Sequence, residues 1–84
     1  MTLNSIAVRR KARVRLIEGG QRVRSHLNTL GIHVGDILEV VERAPFRGPV
    51  LIELKGSRVA LGRGVAGRIF LEDFPDSAEQ NPPS

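Results

Sequence analysis

The residues in this chain best suited to chemistry are its arginines. Residues 1–24 contain Arg9, Arg10, Lys11, Arg13, Arg15, Arg22 and Arg24 against the single acid Glu18, a local charge of +6. Residues 25–84 carry six basic and eight acidic groups, a local charge of −2 within an overall +4. Such asymmetry points the N-terminal third toward something negative: nucleic acid, an anionic membrane surface or an acidic protein. The plain alternative is a solvated charged face. Arg13 and Arg15 alternate along one strand face, and Arg22 and Arg24 open the segment that follows. Nucleic-acid binding would place these guanidiniums on phosphates and add aromatic stacking platforms. There is no Tyr or Trp, and Phe46, Phe70 and Phe74 are the only aromatics, which argues against single-stranded recognition. An acidic protein partner accounts for the same charge, with an affinity that salt weakens.

Other chemistries have thinner support. His26 and His33 stand seven residues apart, and a ferrous site would need Asp36 or Glu39 to converge on them. The spacing matches no compact ligand pair such as H-E-x-x-H, so both histidines read as surface imidazoles and no metal or other cofactor is expected. Cysteine is absent, which removes disulfides and thiolate sites. Ser5, Ser25 and Ser57 sit in no nucleophile-elbow context, so a non-enzyme is expected. Gly62, Gly64 and Gly67 spell G-x-G-x-x-G, but no real helix follows and no acid lies at the required distance, so this is a turn. Phe46, flanked by Pro45 and Pro49 in a turn, either projects beside Arg47 as a contact anchor or folds back over the end of the core. The scarcity of large residues favours folding back.

The elements that must position these groups are short. Ala12, Val14 and Leu16 alternate with Arg13 and Arg15, which predicts a first strand ended by Gly19-Gly20. Val23, Leu27 and Leu30 fall at i, i+4 and i+7, which predicts a helix over 21–30 stopped by Gly31. Ile37–Arg43 is β-branched with apolar residues on both faces, as a central strand would be. Val50–Leu54 and Val59–Leu61, linked by Lys55-Gly56-Ser57-Arg58, predict a hairpin. Gly62–Gly67 allows one helical turn, and Arg68–Glu72 gives a last strand. Residues 1–8 show no periodicity and read as a short frayed lead-in. Residues 74–84, acidic and containing three of the five prolines, read as a disordered tail.

With 84 residues the chain supports one small domain, over residues 9–73. Five short antiparallel strands in so small a chain are expected to close into an SH3-like barrel, since closure removes exposed edges. No apolar run approaches the roughly 20 residues that span a bilayer. The N-terminus carries its charge after a short apolar patch, the reverse of a secretory signal. A cytoplasmic protein with no membrane insertion of its own is therefore expected.

Three blocks carry a likeness to a known family. They are Leu27-Asn28-Thr29-Leu30-Gly31-Ile32-His33-Val34-Gly35-Asp36, then Arg43-Ala44-Pro45-Phe46-Arg47-Gly48-Pro49-Val50, then Gly56–Arg63 with Ala66 and Ile69. In this order and spacing they resemble the FeoA family, small cytoplasmic proteins encoded with the bacterial ferrous-iron transporter FeoB. The resemblance implies an SH3-like barrel that assists ferrous-iron uptake by contacting the cytoplasmic part of FeoB, which includes a GTP-binding domain. The same barrel closes some metal-dependent repressors, so a nucleic-acid-binding or regulator-type small barrel is the alternative. This chain has no helix-turn-helix segment, which favours the stand-alone form. Arg13, Arg15, Arg22, Arg24, Phe46 and Arg47 are the candidate partner contacts.

Overall fold

A computed structural model describes residues 1–74. The elements run β1 (Lys11–Ile17), α1 (Gly20–Thr29), β2 (Ile37–Arg43), β3 (Val50–Leu54), β4 (Ser57–Leu61), α2 (Arg63–Ala66) and β5 (Ile69–Asp73). The strands form one antiparallel sheet in the order β4-β3-β2-β1-β5; β4 and β5 do not pair with each other, so the SH3-like barrel keeps two edges that full closure was expected to remove. Strand β2 is central, and its imperfect alternation has a local cause: its register against β3 shifts between Val40 and Glu42, leaving Val41 without a cross-strand partner. Ala12, Val14, Leu38, Val40, Val50, Ile52, Leu61, Ile69 and Leu71 turn inward to form the core. Removing such side chains from water stabilises by roughly 1.5–3 kcal/mol for each Val, Leu or Ile.

Several expectations are corrected. The first concerns residues 1–8, expected to fray. Leu3 and Ile6 are buried, and the Leu3 N–H donates to the Ile69 carbonyl. The Leu71 N–H donates to the Met1 carbonyl, so this segment runs along the outer edge of β5. It escaped notice because it contributes only two apolar anchors at i and i+3, too few to set a period. Arg43 pins it from the other side by donating through Nη2 to the Ile6 carbonyl.

The second correction concerns β1. Its register against β5 shifts between Val14 and Leu16, leaving Arg15 without a cross-strand partner. The bulge turns Leu16 outward, to 42% exposure, and Ile17 inward. A bulge inserts one residue and so breaks a period of two.

Helix α1 is held by Leu27, its one fully buried residue, with Val23 packed at the margin of the core. Leu30, expected on the same buried face, lies past the last helical residue and is exposed. The β3–β4 link is shorter than the four residues expected. Ser57 already pairs with Leu54, so the turn is Lys55-Gly56, with φ of 52° and 81°. Both values are left-handed, as the two-residue hairpin turn requires. The expected tail begins with Phe74, which is half-buried; its remainder, 75–84, lies outside the described residues.

The β2–β3 loop is tightly packed at Gly48. A Cβ there would lie 2.7 Å from the Ala44 Cβ and 3.1 Å from the Pro45 carbonyl oxygen. Gly48→Ala is accordingly expected to cost about 1–3 kcal/mol, the usual price of overpacking. Urea denaturation checks this, with a lowered midpoint at unchanged slope as the expected outcome.

Candidate functional site

The β2–β3 loop presents the most distinctive surface on the molecule. The Gly48 N–H donates to the Pro45 carbonyl at 3.1 Å, closing a turn whose central residues are Phe46 and Arg47. Their φ angles are 57° and 60°. A turn with both central residues left-handed normally uses Asn-Gly or Asp-Gly. Bulky residues there are outliers, at a cost of roughly 1–2 kcal/mol each. Phe46 recovers nothing by packing, since it is 96% exposed. Folding back over the core, which the scarcity of large residues favoured, is therefore overturned: the left-handed turn aims the ring into solvent. Strain of this kind persists where the surroundings enforce it, and it clusters at ligand clamps and switch regions.

The candidate arginines are split. Arg13, half-buried on β1, reaches Glu72 at 3.7 Å and lies over the Phe74 ring at 5.6 Å. Among the described residues, Arg15, Arg22, Arg24 and Arg47 have no carboxylate within ion-pair distance. The expected contact set is also not one patch. Arg13 of β1 stands opposite Ile37, at the start of β2, and α1 continues from that end of β1. Phe46 and Arg47 follow the far end of β2. The loop and the helix thus occupy opposite ends of the β1–β2 ladder. Sequence reading grouped them because charge along a chain carries no direction.

The metal-ligand candidates do not converge. His26 is exposed on α1, while Glu39 pairs with Arg9 at 3.3 Å. His33 and Asp36 are neighbours, but among the described residues no group of three or more His, Asp or Glu side chains could hold an ion. Asp36 instead ties two loops together. Its Oδ2 accepts the His33 backbone N–H at 2.8 Å, and its Oδ1 lies 3.3 Å from Lys55 Nζ in the β3–β4 turn. Burial pushes its carboxyl upward, but the His33 N–H and the Lys55 ammonium outweigh this and hold it below its ordinary 3.8.

A depressed folded-state pKa means that Asp36 contributes stability above the unfolded value. That contribution is lost as pH falls below about 4 and through the folded pKa. Asp36→Asn is expected to lose about 1–3 kcal/mol at neutral pH. It should also flatten the acid limb of the stability profile, measured by urea midpoints from neutral pH to pH 2.

The architecture and its surface define a class: a small SH3-like β-barrel whose exposed chemistry is an unbalanced basic charge and one projecting aromatic. Comparison with known proteins narrows that class. The family model for the FeoA domain matches residues 1–73, and the chain belongs to the FeoA family, which takes part in Fe(2+) transport. A Methanocaldococcus jannaschii protein named "Putative Fe(2+) transport protein A" is 40% identical over 60 residues, 71% of each chain. A crystal structure of the iron uptake regulatory protein FeoA superposes with a TM-score of 0.77 at 32% identity, covering 86% of this chain and 93% of that one. The FeoA-like protein of Clostridium acetobutylicum gives 0.80 at 25% identity, covering 90% and 88%. The manganese regulator SloR shares the fold, with a TM-score of 0.78 at 20% identity, but this chain spans only 34% of its length. No helix among the described residues is long and apolar enough to cross a membrane.

Proposed function

We propose that this chain is a non-catalytic accessory module of ferrous-iron uptake, acting in the cytoplasm by docking on the cytoplasmic part of a FeoB-type transporter. One observation carries the docking surface: Phe46 stands 96% exposed on a strained turn beside Arg47, which has no carboxylate within ion-pair distance among the described residues. Aromatic residues, Phe among them, and arginine are enriched at protein interfaces. Main-chain bonds from Gly48 N–H to the Pro45 carbonyl and from Ala44 N–H to the Pro49 carbonyl hold the loop, so little backbone entropy remains to be lost on binding. Phe46 fills an apolar pocket of the partner and Arg47 meets an acid at its rim. Arg15, Arg22 and Arg24, with Arg13 partly engaged by Glu72, add long-range attraction that speeds encounter. The acidic partner, not nucleic acid, is the reading this arrangement favours.

The experiment is an NMR titration of the labelled chain with the transporter's soluble GTP-binding domain. Shifts confined to residues 44–49 and their neighbours are expected. A spectrum unchanged at saturating partner would contradict docking on that domain. The double variant Arg22→Ala/Arg24→Ala is expected to lower the association rate about 3–10-fold at low salt and to leave the dissociation rate nearly unchanged. Stopped-flow measurement at two ionic strengths checks it.

A further inference from the structure

The two edges of the sheet are treated differently. The outer edge of β5 is covered by residues 1–3, through the Met1 and Leu3 backbone bonds. Strand β4 has no such cover among the described residues: it pairs with β3 alone, and no further backbone bond reaches it. Its register against β3 is regular over all five pairs, from Leu54↔Ser57 to Val50↔Leu61. It contains no proline, no bulge and one charge, Arg58. Edge strands are ordinarily blunted by such devices, so β4 is left open as a pairing template.

The register says which groups are free. Ser57 follows a two-residue turn and forms the hydrogen-bonded pair with Leu54, so Ser57, Val59 and Leu61 direct their backbone groups toward β3. Arg58 and Ala60 direct theirs outward. The side chains of both are exposed on the outer face. Next to Ala60 lies an open cavity of about 150 Å³ lined by Glu42, Ala44, Pro49, Leu51 and Ala60. Glu42, Leu51 and Ala60 form one cross-strand row, so this cavity flanks the free edge.

We infer that β4 is a β-augmentation site, taking an extended segment of a partner protein as a sixth, antiparallel strand. The segment's residue opposite Ala60 is aliphatic and enters the cavity. Its residue opposite Arg58, two positions away on the same face, is acidic. Main-chain bonds to Arg58 and Ala60 supply affinity, and the cavity and the guanidinium supply selectivity. The existing Arg58–Glu53 contact, at 3.7 Å with both groups well exposed, is weak enough to exchange. Charge decides between occupants. Strand β4 of a second copy, Ser57–Leu61, contains Arg58 and no acid to set opposite Arg58, whereas an acidic–aliphatic segment matches it. The cavity shares Ala44 and Pro49 with the base of the Phe46 loop, but the free edge is read at Arg58 and Ala60, so failure here is distinguishable from failure of docking through Phe46.

The test uses the full-length labelled chain and a capped synthetic peptide whose valine and glutamate stand two positions apart, with threonine between and around them, so that both lie on one face of the added strand. In the free chain the Arg58 and Ala60 amides should exchange rapidly with deuterium, while Val59 and Leu61 are protected. The peptide should shift the Arg58 and Ala60 signals and slow their exchange at least tenfold. A valine–lysine peptide should bind at least tenfold more weakly. Arg58→Pro removes an outward donor without touching the bonds to β3, and Ala60→Leu fills the cavity. Each should weaken peptide binding at least tenfold, with the amide protection of β1 and β3 retained as the check on folding. Three results would overturn the inference: binding indifferent to both variants, no shift at all, or protection of Arg58 and Ala60 without peptide. If that last protection rises with chain concentration, the edge pairs with a second copy instead.

Discussion

Replacing Phe46 with asparagine and Arg47 with glycine is expected to make the domain more stable by about 1–3 kcal/mol. The two residues occupy the central positions of a turn at φ of 57° and 60°, which Asn-Gly adopts with little cost. The wild-type side chains offset none of that cost, because Phe46 is exposed and Arg47 has no acid beside it among the described residues. A change that removes a large aromatic usually weakens a protein; here thermal or urea unfolding should show the reverse. A gain in stability would show that the loop is maintained against the folding preference of its own backbone. No gain would mean that the turn is unstrained, and the case for a functional tip would lose its physical basis.

The second large effect concerns the N-terminal segment. Leu3→Ala is expected to destabilise the domain by about 2–5 kcal/mol, the range for truncating a fully buried leucine. The loss spreads beyond the cavity, because Leu3 holds the strand-like run that donates to Ile69 and accepts from Leu71 through Met1. With that run detached, the backbone groups of β5 face solvent and the sheet has two open edges. Small domains hold only about 5–15 kcal/mol in total, so this variant should unfold well below the wild-type denaturant midpoint. A loss under about 0.5 kcal/mol, the level of ordinary surface changes, would mean that residues 1–6 are an ornament on the barrel.

Most of the fold is legible in the residues. Periods of two in β1 and β3, the β-branched run of β2, the apolar run of β4 after its glycine-bearing link, the short apolar run of β5, the i, i+4 pair Val23 and Leu27 and the glycines around α2 locate all five strands and both helices. What escapes is non-local. The bulge at Arg15 depends on how β5 pairs, and nothing in RVRL announces it. Leu3 and Ile6 become core residues only because β5 and Arg43 lie against them. The candidate site is legible in kind but not in arrangement. Sequence marks Phe46 and Arg47 as turn residues and marks the arginines as free charge. It cannot show that the turn forces both central residues left-handed, which settles where the ring points. Nor can it show that Arg22 and Arg24 sit at the other end of the ladder. The role of Asp36 is half visible: its position in the Gly-x-x-x-Gly-Asp turn is clear, but Lys55 reaches it only through the β3–β4 hairpin.

The most direct measurement of the central claim is the affinity of the transporter's soluble GTP-binding domain for the wild-type chain and for the Phe46→Asn/Arg47→Gly variant, by calorimetry at physiological salt. Loss of an interface anchor is worth about 2 kcal/mol or more, or roughly 30-fold in Kd. The account predicts at least that loss in a variant that is folded and more stable than wild type. Equal affinity of the two chains would contradict it.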